Sequence, residues 1–172
     1  IKPHHTKMKK IFTLIAITII ALPSFAQNKP LPTTTVRDIN GKKIAFNKAF
    51  EPGKVTIVSF WATWCIPCKQ EIKAIKGKLP EWQKQAPDVN YATVSIDDAR
   101  ASAQVKTYAT TQGWTFPVLL DPNSDLKRSL SFSNVPFLII IDKKGNIAYM
   151  HTGYEEGGEN EVFEKALALS KE

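Results

Sequence analysis

The strongest constraint on the fold is a junction in the first half of the chain. Residues 55–60, Val-Thr-Ile-Val-Ser-Phe, form a β-branched run with little polarity, which suits a strand buried on both faces. Trp61 to Trp64 follow, then Cys65-Ile66-Pro67-Cys68, and from Cys68 onward Ile72, Ile75 and Leu79 recur at helical spacing. Pro67 is tolerated only in a first helical turn, so the helix begins at the cysteines. Cys68 lies on its buried line and Cys65 at its mouth. Pro80 is expected to end or kink this helix.

Composition narrows the class. The 172 residues, 43% hydrophobic and 23% charged with 8 Gly and 11 Pro, suit one globular domain and exclude a disordered tail, a repeat array or a disulfide-dense miniprotein. A chain this long buries about two-thirds of its unfolded surface without a staple, so its 2 Cys ask for a chemical reason. The formal charge of +7 is concentrated at the start: residues 1–26 hold four lysines and no acid, leaving 19 basic against 16 acidic residues beyond them. No basic stripe for nucleic acid remains.

Residues 1–26 read as seven upstream residues followed by a signal peptide: Met8-Lys9-Lys10, an apolar run over 11–22, and the small residues of Ser24-Phe25-Ala26. Cleavage is expected between Ala26 and Gln27. Twelve apolar residues span ~18 Å, short of a ~30 Å hydrocarbon core, so no stable membrane insertion is expected after cleavage. Export places the cysteine pair in an oxidising compartment, periplasmic or otherwise extracytoplasmic. Residues 27–32 read as a tether and 33–172 as the domain.

Within the domain, Val36 and Ile39 before Asn40-Gly41, with Ile44 and Phe46 after, predict a hairpin with a primed turn. Further strands are expected over 89–96, 116–120, 137–141 and 147–151. Helices are expected from a cap at Asp97 or Asp98 to about Gln112, over 124–131, and from near Gly158 with Val162, Ala166 and Leu169 on one side. Alternating strands and helices predict an α/β fold with a mixed central sheet flanked by helices.

The segment from Phe60 to Cys68, at a strand end and a helix start, resembles the thioredoxin superfamily. With the signal peptide, the Asn-Gly hairpin and an inserted helix-strand unit over 97–120, it is similar to the TlpA/ResA-like exported thiol-disulfide oxidoreductases from about Thr33 onward. The resemblance implies a thioredoxin fold, a redox-active Cys65–Cys68 disulfide, and reduction of disulfides in client proteins, with cytochrome maturation among related roles. It also implies a membrane-bound or exported thiol as electron donor and no cofactor. An oxidant or isomerase of the same fold, or a redox-inert binding domain, is the alternative.

The physics of the placement stands beside the resemblance. A thiol at a helix N-terminus faces unpaired N–H groups and the positive dipole end, both favouring thiolate. A fall in pKa from ~8.5 to ~7 raises the thiolate fraction about sixteenfold at neutral pH but lowers nucleophilicity about fivefold, so redox poise gains more than speed. An inert bridge is a poor explanation, because closing so small a loop stabilises little.

Zinc lacks ligands, since His151 is the one imidazole after residue 26, and haem attachment lacks a histidine at Lys69. Thr63 alone does not make a peroxiredoxin pattern.

Glu71, three residues past Cys68, is implied by the resemblance as the base for that thiol; a first-turn acid is also favourable by the dipole alone. The resemblance further implies a cis peptide at Pro136 and a backbone at Val135 free to pair with a substrate strand. Phe137 departs from the small polar residue usual there and suggests a bulkier, apolar rim. Trp64 is expected as an apolar docking platform. Trp82 and Trp114 read as structural, and His151 and Tyr154 as ordinary fold residues.

Overall fold

The structure, a computed structural model, describes residues 29–172; the expected signal peptide and cleavage site lie outside the described residues. The elements run β1 (Lys29–Pro30), β2 (Thr35–Asp38), β3 (Lys43–Ala45), β4 (Val55–Trp61), α1 (Ile66–Gln85), β5 (Val89–Ser95), α2 (Ser102–Thr111), β6 (Val118–Leu120), α3 (Asp125–Leu130), β7 (Phe137–Ile141), β8 (Asn146–Thr152) and α4 (Gly158–Ser170). One eight-stranded sheet has the order β1-β8-β7-β4-β5-β6-β2-β3. Strands β4, β5 and β6 are parallel, and β7 runs antiparallel to β4.

β4 sits in the middle with all seven residues buried, which is why its sequence carries no alternation. Ile57 and Trp61 face a core built with Ile72, Ile75 and Trp82 of α1, Val105 of α2 and Phe163 of α4. Val58 and Phe60 face a second core with Phe46, Leu126 and Leu130 of α3, and Phe132. Helices α1, α2 and α4 therefore cover one face of the sheet and α3 the other.

Four expectations are corrected. The hairpin joining β2 to β3 has a three-residue loop rather than a two-residue primed turn: Asp38 N–H bonds Lys42 O, Gly41 N–H bonds Asp38 O, and Gly41 alone takes positive φ (+89°). The Asp38 carboxylate accepts the N–H groups of Asn40 and Lys42 and shapes that loop.

Of the two outcomes expected at Pro80, the end of the helix is corrected: α1 continues to Gln85. An interior proline costs about 3 kcal/mol, but Leu79 and Trp82 are both buried and Trp82 stacks on Phe163 at 4.7 Å. Two such side chains contribute roughly 1.5–3 kcal/mol each on burial, enough to hold the helix through the break. Helix α2 starts at Ser102 without a side-chain cap, because Asp97 bonds elsewhere and Asp98 forms a turn with the N–H groups of Arg100 and Ala101. The described part of the segment read as a tether is held on the sheet: Lys29 and Pro30 pair with Ile147 and Asn146, and Leu31 is buried.

Candidate active site

Three elements converge at one end of the sheet. β4 ends at Trp61, β5 ends beside it with Ser95 opposite Trp61, and β7 begins at Phe137 opposite Phe60. The register places Pro136 next to Trp61, and the Val135-Pro136 peptide is cis. After Trp61 the chain makes a tight turn, Cys65 N–H to Ala62 O at 3.0 Å, and enters α1.

Cys65 is the N-cap of α1, with extended backbone (φ −87°, ψ 100°), and its sulfur accepts the Cys68 N–H at 3.3 Å. The cysteines form a disulfide with Cα atoms 5.4 Å apart. Cys68 is fully buried and Cys65 is 4% exposed, whereas Trp64 and Ile66 on either side of Cys65 are 67% and 69% exposed. The sulfur nearer the surface is thus set between two solvent-facing apolar side chains. Trp61 turns inward instead, against Tyr108 and Trp114 at 5.5 and 4.9 Å. Trp82 and Trp114 are packing residues, as read from the sequence.

Glu71 is 3% exposed, on the same buried face of α1 as Cys68 and one turn further in. Burial pushes its carboxyl up from 4.5 to about 8, and the facing Ser59 hydroxyl only partly opposes this. Oε2 of Glu71, Oγ of Ser59 and the Tyr91 hydroxyl each lack a partner within hydrogen-bonding geometry among the described residues, so Ser59 acts here as a nearby dipole. Burial, and then the charge of Glu71, also raises the Tyr91 hydroxyl. A cavity of about 420 Å³ opens from Glu71 between β8 and α4, with Tyr149, His151, Tyr154 and Val162 among its walls. Tyr154, read as an ordinary fold residue, lines it and donates to Glu159 at 3.1 Å.

Phe137 does not form the apolar rim expected of it. It is buried in the second core and stacked on Phe132 with centroids 4.2 Å apart. In β7 the residue after the proline points across the sheet, away from the cysteines.

One pair was not anticipated from the sequence. The Asp97 carboxylate accepts the Thr63 N–H at 2.8 Å, the Thr63 hydroxyl at 2.7 Å and the Ser95 hydroxyl at 2.7 Å. The available signal was an acid just past the end of a strand that runs parallel to the one feeding the cysteines. Among the described residues no group of three or more His, Cys, Asp and Glu side chains is placed to hold a metal.

Residues 27–150 match the AhpC/TSA family. The chain is 29% identical over 127 residues to the thioredoxin-like protein YneN of Bacillus subtilis, covering 74% of this chain and 72% of YneN. It is 24% identical over 142 residues to the thiol-disulfide oxidoreductase ResA of the same organism, covering 83% and 76%. A thioredoxin-like protein from Porphyromonas gingivalis, solved in solution, superposes with a TM-score of 0.74 at 42% identity over 84% of this chain and 95% of that one. The layered mixed sheet is therefore a thioredoxin-like α/β fold, and the chain belongs to the AhpC/TSA family.

Proposed function

We propose that the protein is an exported thiol-disulfide oxidoreductase that reduces disulfides in client proteins through Cys65 and Cys68. The observation that carries this reading is Cys65 at the N-cap of α1, its sulfur facing the Cys68 N–H and bridged to the buried Cys68. That N–H and the dipole behind it stabilise a Cys65 thiolate in the dithiol state. The relatives named as thiol-disulfide oxidoreductases support the same chemistry.

In the dithiol state the Cys65 thiolate attacks one sulfur of a client disulfide, forming a mixed disulfide and releasing the other client sulfur as thiolate. Glu71 takes the proton of Cys68, and the Cys68 thiolate attacks Cys65, closing the pair and releasing the second client thiolate. Two electrons pass to the client. A carboxyl held up to about 8 by burial is a far better proton acceptor for a thiol than an ordinary carboxylate would be. In the disulfide state the same carboxyl holds the proton it received. The client strand pairs with the Val135 backbone beside Pro136 and lies on Trp64.

The leading residues 1–26 support export by cleavage before Gln27, and an exported or membrane-bound thiol returns the pair to the dithiol. The test is Cys68→Ala expressed with export intact: clients stay covalently bound to Cys65 and are released by added thiol, and Cys65→Ser holds none. Capture of nothing, with wild-type protein that does not reduce insulin disulfides, overturns the reading. An equilibrium constant against glutathione in the range of strong oxidants reverses its direction.

A further inference from the structure

We propose that Asp97 is a positioning residue for Cys65, acting through Thr63. It sits outside the thiol chemistry, at the root of the inserted helix-strand unit, yet its side chain grips the loop that carries the nucleophile. Three donors converge on a carboxylate only 5% exposed: both polar hydrogens of Thr63, at 2.8 and 2.7 Å, and the Ser95 hydroxyl at 2.7 Å. The Ser95 Oγ in turn accepts the Asp97 N–H at 3.0 Å, and the Ile96 N–H bonds Trp61 O at 2.9 Å. Both oxygens are occupied, so the carboxylate is a satisfied bracket between the ends of β4 and β5.

The bracket closes on the second residue of the Ala62–Cys65 turn, two positions before the nucleophile. Fixing Thr63 by backbone and side chain together fixes the plane of that turn. Trp64 then points outward and Cys65 arrives with the extended backbone that an N-cap requires.

The two redox states depend on this unequally. In the disulfide state the Cys65 sulfur carries no charge for the helix N-terminus to stabilise, whereas in the dithiol state it carries the thiolate. In the dithiol state the bracket and the turn are what hold the Cys65 sulfur at the helix N-terminus. Linkage then requires that loss of the bracket destabilise the dithiol more than the disulfide and move the thiol-disulfide equilibrium toward the disulfide. A group that stabilised both states equally would leave that equilibrium where it is.

The inference rests on the oxidoreductase reading, and the experiment separates the two. Wild type, Asp97→Ala, Asp97→Asn, Thr63→Val and Thr63→Ser are compared for the glutathione equilibrium constant of the Cys65–Cys68 pair, kcat/KM on insulin disulfides, and thermal unfolding of the oxidised form. Asp97→Ala shifts the equilibrium about tenfold toward the disulfide and lowers kcat/KM by roughly 10- to 100-fold, the size expected of a misplaced reacting group. Thr63→Val, which removes a single bond of the bracket, shifts both in the same direction by less. Thr63→Ser and Asp97→Asn, which keep donors or an acceptor in place, restore most of each.

If the Asp97→Ala protein does not fold, Thr63→Val decides on the same two readouts. Equilibrium constants and kcat/KM equal to those of an active wild type in Thr63→Val and in folded Asp97→Ala, with only the unfolding temperature lowered, overturn the assignment. An inactive wild type instead overturns the oxidoreductase reading itself.

Discussion

Two buried acids lie near the cysteine pair, Glu71 one turn along α1 from Cys68 and Asp97 bonded to Thr63, and they have opposite surroundings. Asp97 receives three side-chain and backbone donors on its two oxygens. Glu71, equally buried, has an oxygen with no partner among the described residues and a carboxyl raised to about 8. Burial is common to both, so burial is not what separates them. What separates them is hydrogen-bond supply: both Asp97 oxygens are taken up in fixed contacts, whereas Glu71 keeps an oxygen without a partner among the described residues.

The contrast breaks most visibly in the pH dependence of stability. A carboxyl raised in the folded state binds its proton more tightly there than in the unfolded chain, so the stability Glu71 contributes is fully present below 4.5 and is lost as pH rises to about 8. The move from 4.5 to about 8 is worth at most ~5 kcal/mol. Denaturation midpoints of the oxidised protein should decline across that window, and Glu71→Gln should remove most of the decline. An unchanged profile in Glu71→Gln assigns the decline to other groups.

The next largest effect is on rate. Glu71→Gln should slow resolution of a preformed mixed disulfide on Cys65 by about 100-fold, or ~2.7 kcal/mol, with circular dichroism unaltered. The wild-type rate should rise with pH and level off near 8. Resolution at the wild-type rate removes Glu71 from the reaction.

Asp97 should behave differently. Asp97→Ala leaves the Thr63 N–H and hydroxyl without their acceptor, a loss of roughly 1–3 kcal/mol in urea unfolding at pH 7. A gain in stability at pH 7 in Asp97→Ala would erase the distinction between the two acids. The smallest effect belongs to Trp64, whose ring is exposed and which the proposed function sets against the client: Trp64→Ala should raise KM for a protein disulfide about threefold to tenfold, of order 1 kcal/mol. Stability should stay within about 0.5 kcal/mol of wild type, as at other exposed sites.

Much of the site was legible in the chain because its geometry is local. Cys65, Pro67 and Cys68 lie within four residues, and a helix start constrains all of them through spacing and φ alone, so the N-cap cysteine and the buried one could be told apart before any fold was known. Strand β4 was legible for a similar reason, since a segment covered on both faces must be apolar throughout. The resemblance to thioredoxins added the cis peptide at Pro136, which spacing cannot reveal.

What lay out of reach depended on contacts between distant segments. Pro80 sits inside α1 because Trp82 stacks on a ring 81 residues later in the chain, and no local propensity records that contact. Phe137 faces the core because the pleat of β7 sends it toward Phe132, not toward the cysteines. Thr63 and Asp97 are 34 residues apart, and nothing in either neighbourhood announces the other. Local sequence determined where a nucleophile could stand, because helix starts and strand burial are set by near neighbours. Tertiary structure decided the surroundings of each buried acid, because those depend on which donors the sheet brings within 3 Å of it.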